Sequence, residues 1–254
     1  MTARKVVVIT GAGSGLGQLA ARRALDHGQC VAALDVNRAG LSALGDCVSL
    51  LKLEVDVTDP QAVEAAVDRI ERDLGPIDRM MHAAAIMPLG LVLEQRLDVI
   101  HKVMTINYGG LVNISRAVLP RMLSRGSGEF VSFASMAGLM PTIYMGAYCA
   151  SKFAVVALTE VLHHENRGRG VKFACVCPPA VATPLLNQAR DTVWPKMFDE
   201  APPITPEEVL SAVERALESG ELMVLPGRGT RLIWRLRRWV PDLVWKRVHA
   251  VEAR

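Results

Sequence analysis

Tyr148 and Lys152 stand four residues apart in the stretch YCASK, and Ser135 lies thirteen residues upstream. Side chains four apart on a helix project from one face, so this spacing would set an ammonium beside a phenol. A free phenol titrates near pH 10 and is a poor base at neutral pH; lowering it by ~2 units takes ~3 kcal/mol of differential stabilisation. A neighbouring cation supplies stabilisation of that kind. The Ser135 hydroxyl could orient a reacting oxygen and stabilise charge developing on it. Together the three residues describe proton transfer between an alcohol and a ketone. With three Tyr and seven Lys in 254 residues, the Tyr148/Lys152 pair alone would be weak evidence.

The pair needs a partner that carries hydride, and the start of the chain offers one. Val6 to Thr10 is a β-branched run feeding Gly11-Ala12-Gly13-Ser14-Gly15-Leu16-Gly17, after which a helical pattern begins. Glycines let backbone N–H groups come close to a pyrophosphate, and a helix N-terminus adds positive partial charge. Gly11, Gly15 and Gly17 are the glycines this geometry needs, with Ser14 and Leu16 between them. A second apolar run, Cys30 to Leu34, ends in Asp35, eighteen residues after Gly17. A carboxylate there accepts hydrogen bonds from ribose hydroxyls and repels a 2′-phosphate. Ser14 brings no cation into the loop, which favours NAD, while Arg38 near Asp35 keeps NADP open.

On these motifs the chain resembles the short-chain dehydrogenase/reductase family. The TGxxxGxG pattern matches Thr10 to Gly17, and the Asn, Ser, Tyr and Lys catalytic positions match Asn107, Ser135, Tyr148 and Lys152 in order and separation, the resemblance running over about residues 4 to 225. It implies an α/β, doubly wound Rossmann-like fold of three layers with a seven-stranded parallel sheet, alcohol/ketone oxidoreduction, and a homodimer or homotetramer. It also implies that Asp56 bonds the adenine amino group, that Val57 packs on the ring, and that Asn107 disturbs its helix to hold a water beside Lys152. Ala83, Ala84 and Ala85 would follow the nicotinamide ribose; Pro178, Val181 and Thr183 would hold the carboxamide. Two departures stand out. His82-Ala83-Ala84-Ala85 replaces an Asn-rich tetrapeptide ending in Gly, and Pro179 replaces a Gly. Ala85 would make positive φ difficult and add a methyl near the ribose, and Pro179 removes an N–H donor.

Periodicity supplies the elements that must position these residues. Apolar strand-like runs fall near 5–10, 30–35, 49–55, 78–84, 128–134, 171–177 and 221–225, alternating with helical patterns near 15–27, 59–74, 94–124, 147–166 and 206–218. That alternation predicts a parallel sheet covered on both faces. Asp59-Pro60 and Thr205-Pro206-Glu207 read as helix starts. The Pro-rich stretch 179–205 reads as an irregular loop over the substrate. Met87, Leu89, Met140, Ile143, Met145, Leu185 and Trp194 would form an apolar substrate lining if their loops face inward.

Composition bounds the alternatives. Residues 1–227 suffice for one dinucleotide-binding and catalytic domain, and 228–254 read as a basic amphipathic extension. The net charge of +3 is too small to suggest a nucleic-acid partner, yet 228–254 hold eight Arg/Lys against two acidic residues. Leu232, Leu236, Trp239, Val240 and Leu243 share a helical face opposite Arg231, Arg235 and Arg238, with Pro241 expected to break or kink the helix. Two readings stay open: this face meets an anionic membrane surface, or it packs on its own domain or an oligomer partner. Five cysteines without a zinc spacing and no bound metal are expected of a cytoplasmic protein. The apolar run after the short basic start is too brief for a secretory signal. The expected substrate is a lipophilic secondary alcohol or ketone; a smaller polar alcohol or sugar-derived ketone, and a non-catalytic NAD-binding sensor, are the alternatives.

Overall fold

Strands that are apolar along their whole length need cover on both faces, and the chain provides it. Val6–Thr10 (β1) is buried at every residue. With it run Cys30–Asp35 (β2), Leu50–Glu54 (β3), Arg79–His82 (β4), Gly128–Phe133 (β5), Val171–Val176 (β6) and Met223–Val224 (β7). The computed structural model describes residues 4–253, and there these strands form a 7-stranded parallel sheet in the order β3-β2-β1-β4-β5-β6-β7.

The helices are Gly15–Asp26 (α1), Arg38–Ser42 (α2), Pro60–Asp73 (α3), Leu97–Met104 (α4), Gly110–Arg125 (α5), Gly146–Glu165 (α6), Pro184–Arg190 (α7), Pro206–Ser219 (α8), Thr230–Trp239 (α9) and Pro241–Glu252 (α10). Alternate residues of β1 divide between two cores. Val6 and Val8 pack with Val63 and Ile70 of α3, Ile114 of α5 and Val155 of α6. Val7 and Ile9 pack with Ala21 of α1 and Val209 and Val213 of α8. The result is the three-layer, doubly wound fold expected from the alternation. Two helix starts are built as their residues suggest. The Asp59 carboxylate accepts from the Gln61 and Ala62 amides at 2.9 and 3.0 Å, and Thr205 with Glu208 forms a reciprocal capping box.

Two segments differ from expectation. The continuous helix read over 94–124 is divided by a π turn, Thr105–Gly109, between α4 and α5. The stretch 179–205 is not wholly irregular, since it contains α7 and a short 3₁₀ turn, Lys196–Asp199. Pro241 breaks the C-terminal helical pattern, as expected, by opening α10, where its missing N–H costs nothing, after Val240 at φ −133° and ψ 61°. No helix among the described residues is long and apolar enough to cross a membrane.

Candidate active site

β1 pairs with β2 on one side and β4 on the other, so the connections leaving these strands diverge and open a crevice beyond their carboxyl ends. The glycine loop occupies this crevice. Gly11 has φ +67°, and a Cβ there would lie 2.8 Å from the Ala84 nitrogen; a Cβ on Gly17 would lie 2.2 Å from the Gly11 carbonyl oxygen. Only glycine allows β1, β4 and α1 to approach so closely. Ser14, the N-cap of α1, makes no side-chain capping bond, and the first turn holds no acidic residue. The uncapped N-terminus therefore faces the cavity with its amides free for an anion.

Asp35, at the end of β2, accepts from the Gly13 and Asn37 amides, each at 2.8 Å. Each carboxylate oxygen keeps a lone pair for a further donor. The Arg38 guanidinium is largely exposed and lies 3.9 Å from Glu54, the residue paired with Asp35 across β2 and β3. Asp56 and Val57 line the same cavity, as do Ala83, Ala84 and Ala85. Asp56 also accepts from the Thr58 amide at 2.8 Å, so it holds its own loop while facing the crevice.

The end of β4 is fastened by Thr10, the first residue of the TGxxxGxG pattern. Thr10 Oγ1 accepts from the Ala83 and Ala84 amides at 3.2 and 3.3 Å and lies 2.9 Å from His82 Nδ1. With its acceptor side in use, the Thr10 hydroxyl donates to Nδ1, which puts the imidazole proton on Nε2. Burial first, and the Lys152 charge second, push the His82 pKa down to about 3. His82 is therefore a neutral, hydrogen-bonded structural residue and not a base. Ala85 is accommodated without strain: the non-glycine residues with positive φ among those described are Tyr144 and Ala253.

Tyr148 and Lys152 lie on one face of α6, both buried, with Lys152 Nζ 5.7 Å from the centre of the Tyr148 ring. Ser135, in the turn after β5, accepts from the Ala137 amide at 3.1 Å and lines the same cavity as Tyr148. Lys152 Nζ donates to the Phe133 carbonyl at 2.8 Å. The expected lowering of the Tyr148 pKa is not produced by the protein's own groups. Burial raises the phenol above its ordinary value, and the Ser135 side chain only opposes that rise. Burial also lowers Lys152, to about 8. Spacing brings the two together, but desolvation disfavours the charged form of each.

This leaves a stability signature. A lysine whose folded pKa lies below its unfolded one weakens the fold while protonated, and the penalty is relieved as pH rises from the folded toward the unfolded value. Between about pH 7 and about pH 9.5 Lys152 should therefore add on the order of 2 kcal/mol to the unfolding free energy. Denaturant unfolding of the wild type and Lys152→Met at both pH values checks this. The rise attributable to Lys152 should be missing from the variant, and parallel pH dependences would contradict it.

Asn107 occupies the middle of the π turn but does not line the cavity. Its Oδ1 accepts from the Ile86 amide at 2.9 Å, and Nδ2 donates to the Ile86 carbonyl and Ser151 Oγ, each at 3.0 Å. Ser151 Oγ in turn donates to the Tyr148 carbonyl at 2.8 Å. This network ties the β4 loop to α6, and a π turn at such a junction is common at functional sites. The role of Ser151 was not legible from sequence.

Beyond β6, Pro178, Pro179, Val181 and Thr183 line the cavity. Thr183, the N-cap of α7, makes no capping bond with its side chain. Met87, Met140, Met145 and Leu185 face the cavity as expected, joined by Leu186, Met197, Phe198 and Gln188. Ile143, Trp194 and Leu89 do not. The Trp194 indole is turned onto Phe198 and Arg190, with ring-centroid distances of 5.2 and 5.0 Å, and its N–H donates to Asp199 at 2.9 Å. Leu89 is buried in the packing behind, and Ile143 is half-buried on the loop before α6. The cavity that joins these surfaces measures about 1060 Å³.

Comparison with known proteins places this geometry. Residues 5–194 match the family described as short chain dehydrogenase. The chain is 36% identical over 192 residues to D-threitol dehydrogenase of Mycolicibacterium smegmatis, covering 74% of each chain. It is 33% identical over 227 residues to glycine betaine reductase ATRR of Emericella nidulans, covering 85% of this chain but only 18% of that much longer protein. Among solved structures, a short chain dehydrogenase/reductase from Burkholderia phymatum in complex with NAD aligns with a TM-score of 0.85 at 26% identity, over 94% of this chain and 95% of that one.

Proposed function

The chain belongs to the short chain dehydrogenase family, and on that premise we propose that it transfers hydride between NAD and a lipophilic secondary alcohol or ketone. The observation that carries the reading is the meeting of Tyr148, Lys152 and Ser135 with the glycine cradle at one cavity. A dinucleotide fits this cradle. Gly11 and Gly17 leave no room for a Cβ, the N-terminus of α1 is uncapped, and Asp35 offers acceptors where ribose hydroxyls would lie. NAD is preferred over NADP because the Asp35 carboxylate, at the end of β2, repels a 2′-phosphate.

In the oxidation direction Tyr148, as phenolate, takes the proton of the alcohol oxygen. A bound oxidised nicotinamide would supply the acceptor for the hydride leaving the carbinol carbon, and a positive charge. Ser135 holds the substrate oxygen by hydrogen bonding while charge builds on it. Lys152 would stabilise the Tyr148 phenolate and bond the ribose, and Asn107 fixes the π turn that sets α6 against the β4 loop. Thr183 and the Val181 backbone would hold the carboxamide with Pro178 beside them, and Asp56 and Val57 would bound the adenine. Reduction runs the same steps in reverse, Tyr148 returning its proton. A homodimer or homotetramer, and a cytoplasmic setting in keeping with five free cysteines, belong to the same reading.

The lipophilic substrate rests on Met87, Met140, Met145, Leu185, Leu186 and Phe198. Each methylene moved from water into such a lining is worth about 0.8 kcal/mol, or roughly fourfold in kcat/KM. A homologous series of secondary alcohols should therefore gain about fourfold per added carbon until the cavity is full. The similarity to D-threitol dehydrogenase favours a second reading, a small polar polyol. A flat chain-length series together with preferred oxidation of threitol would establish that reading in place of the first.

A further inference from the structure

Helix α9 carries its apolar face away from the protein. Thr230 is buried and donates to the Leu225 and Gly227 carbonyls at 3.1 and 2.9 Å, and Trp234 and Arg237 are half-buried on the same side. On the opposite side Leu232, Leu236 and Trp239 follow at i, i+4 and i+7, and Leu243 in the first turn of α10 extends the row. These are large apolar groups in solvent: Leu232 is 61% exposed, Trp239 81% and Leu243 62%. The face does not pack on its own domain, which removes that reading.

Charge decides what covers it. Arg231, Arg235 and Arg238 form a second row along the flank of the apolar one, and α9 contains no carboxylate. Of the two acidic residues in 228–254, Glu252 is buried and accepts from the Met197 amide at 3.0 Å, leaving Asp242 exposed. Arg231 pairs with Glu221 and Arg247 with Glu200, while Arg228, Arg235, Arg238 and Lys246 are exposed with no ion pair among the described residues. A second copy packed antiparallel on α9 by twofold symmetry would set arginine row against arginine row. An anionic bilayer instead offers apolar depth for leucine and tryptophan, and diffuse negative charge for the arginines.

We propose that α9, with the first turn of α10, docks this protein on the surface of an anionic lipid bilayer. The inference goes beyond the substrate reading and does not depend on it. Its geometry has a consequence for access, because Gly227, Arg228, Thr230 and Ile233 also line the active-site cavity. Glu252 of α10 holds the 3₁₀ turn after α7 through the Lys196 and Met197 amides. Docking would bring the cavity rim to the lipid interface.

The test is co-sedimentation of the full chain with phosphatidylcholine vesicles, with and without about one third phosphatidylserine. Binding should require the anionic lipid and weaken at high salt. Arg235→Glu with Arg238→Glu should lower partitioning at least about tenfold, and Leu236→Glu with Trp239→Glu should abolish it. Both variants should keep wild-type circular dichroism and turnover of a water-soluble alcohol. Should the apolar-face variant fold poorly, the arginine variant decides alone. Wild type that stays in the supernatant with both vesicles, or variants that bind as well as wild type, would overturn the proposal. So would an oligomer in sedimentation velocity that dissociates on Leu236→Glu with Trp239→Glu while vesicles are not bound, since the face would then belong to a second copy.

Discussion

Tyr148→Phe is expected to lower kcat about a thousandfold while the Kd for NADH stays within about twofold of wild type. The substitution removes one oxygen from a residue whose ring is already buried against Lys152 and the Met87/Met145 packing, so the fold loses no volume. What disappears is the group that exchanges a proton with the substrate oxygen, and general acid–base catalysis of this kind contributes about 10²–10⁴-fold. Ser135 cannot replace it, because a serine hydroxyl has no titration in the working range and its Oγ already accepts from the Ala137 amide. Burial raises the phenol in the protein alone. In the oxidation direction kcat should therefore rise with pH as Tyr148 passes into its phenolate form. Steady-state kinetics and fluorescence titration of NADH separate the two effects.

Gly17→Ala should do the reverse, raising the Kd for NADH on the order of 100-fold, about 2.7 kcal/mol, while leaving the Tyr148 face of α6 intact. The added methyl would lie 2.2 Å from the Gly11 carbonyl oxygen and 2.7 Å from its carbon, both backbone atoms that no side-chain rotation can move. The first turn of α1 must then shift away from β1, and its uncapped amides leave the position from which they would meet a pyrophosphate. Equilibrium titration with NADH measures the change directly. Affinity unchanged from wild type would mean that the loop is not the cofactor cradle.

How much of this was legible beforehand depends on what each feature is made of. The seven strands and the main helices follow from local patterns: unbroken apolar runs, the Asp59-Pro60 start, the Thr205/Glu208 box. A disturbance of the helix at Asn107 was implied by the family resemblance, but its π form was not readable from local pattern, because it is held by hydrogen bonds from Asn107 to Ile86 and Ser151, residues 21 and 44 positions away. Helix α7 was hidden by its seven-residue length in a proline-rich stretch. Trp194 looked like pocket lining from its type and place in the chain, but Asp199, Phe198 and Arg190 determine where the indole points. The Tyr148/Lys152 spacing correctly announced proximity and said nothing of burial, which reverses the expected direction of the phenol. The amphipathic character of α9 was plain from its repeat; that its apolar side faces solvent required the position of Thr230.

The claim on which everything else rests is that Tyr148 moves a proton in step with hydride transfer at this cavity. Single-turnover absorbance of enzyme saturated with NADH, mixed with a panel of lipophilic and polar ketones, tests it in the wild type and in Tyr148→Phe. The expected result is rapid loss of the nicotinamide band in the wild type with at least one ketone and loss about a thousandfold slower in the variant, from equal amounts of bound NADH. Saturable NADH binding with no transfer to any ketone, or transfer at the wild-type rate in Tyr148→Phe, would contradict it.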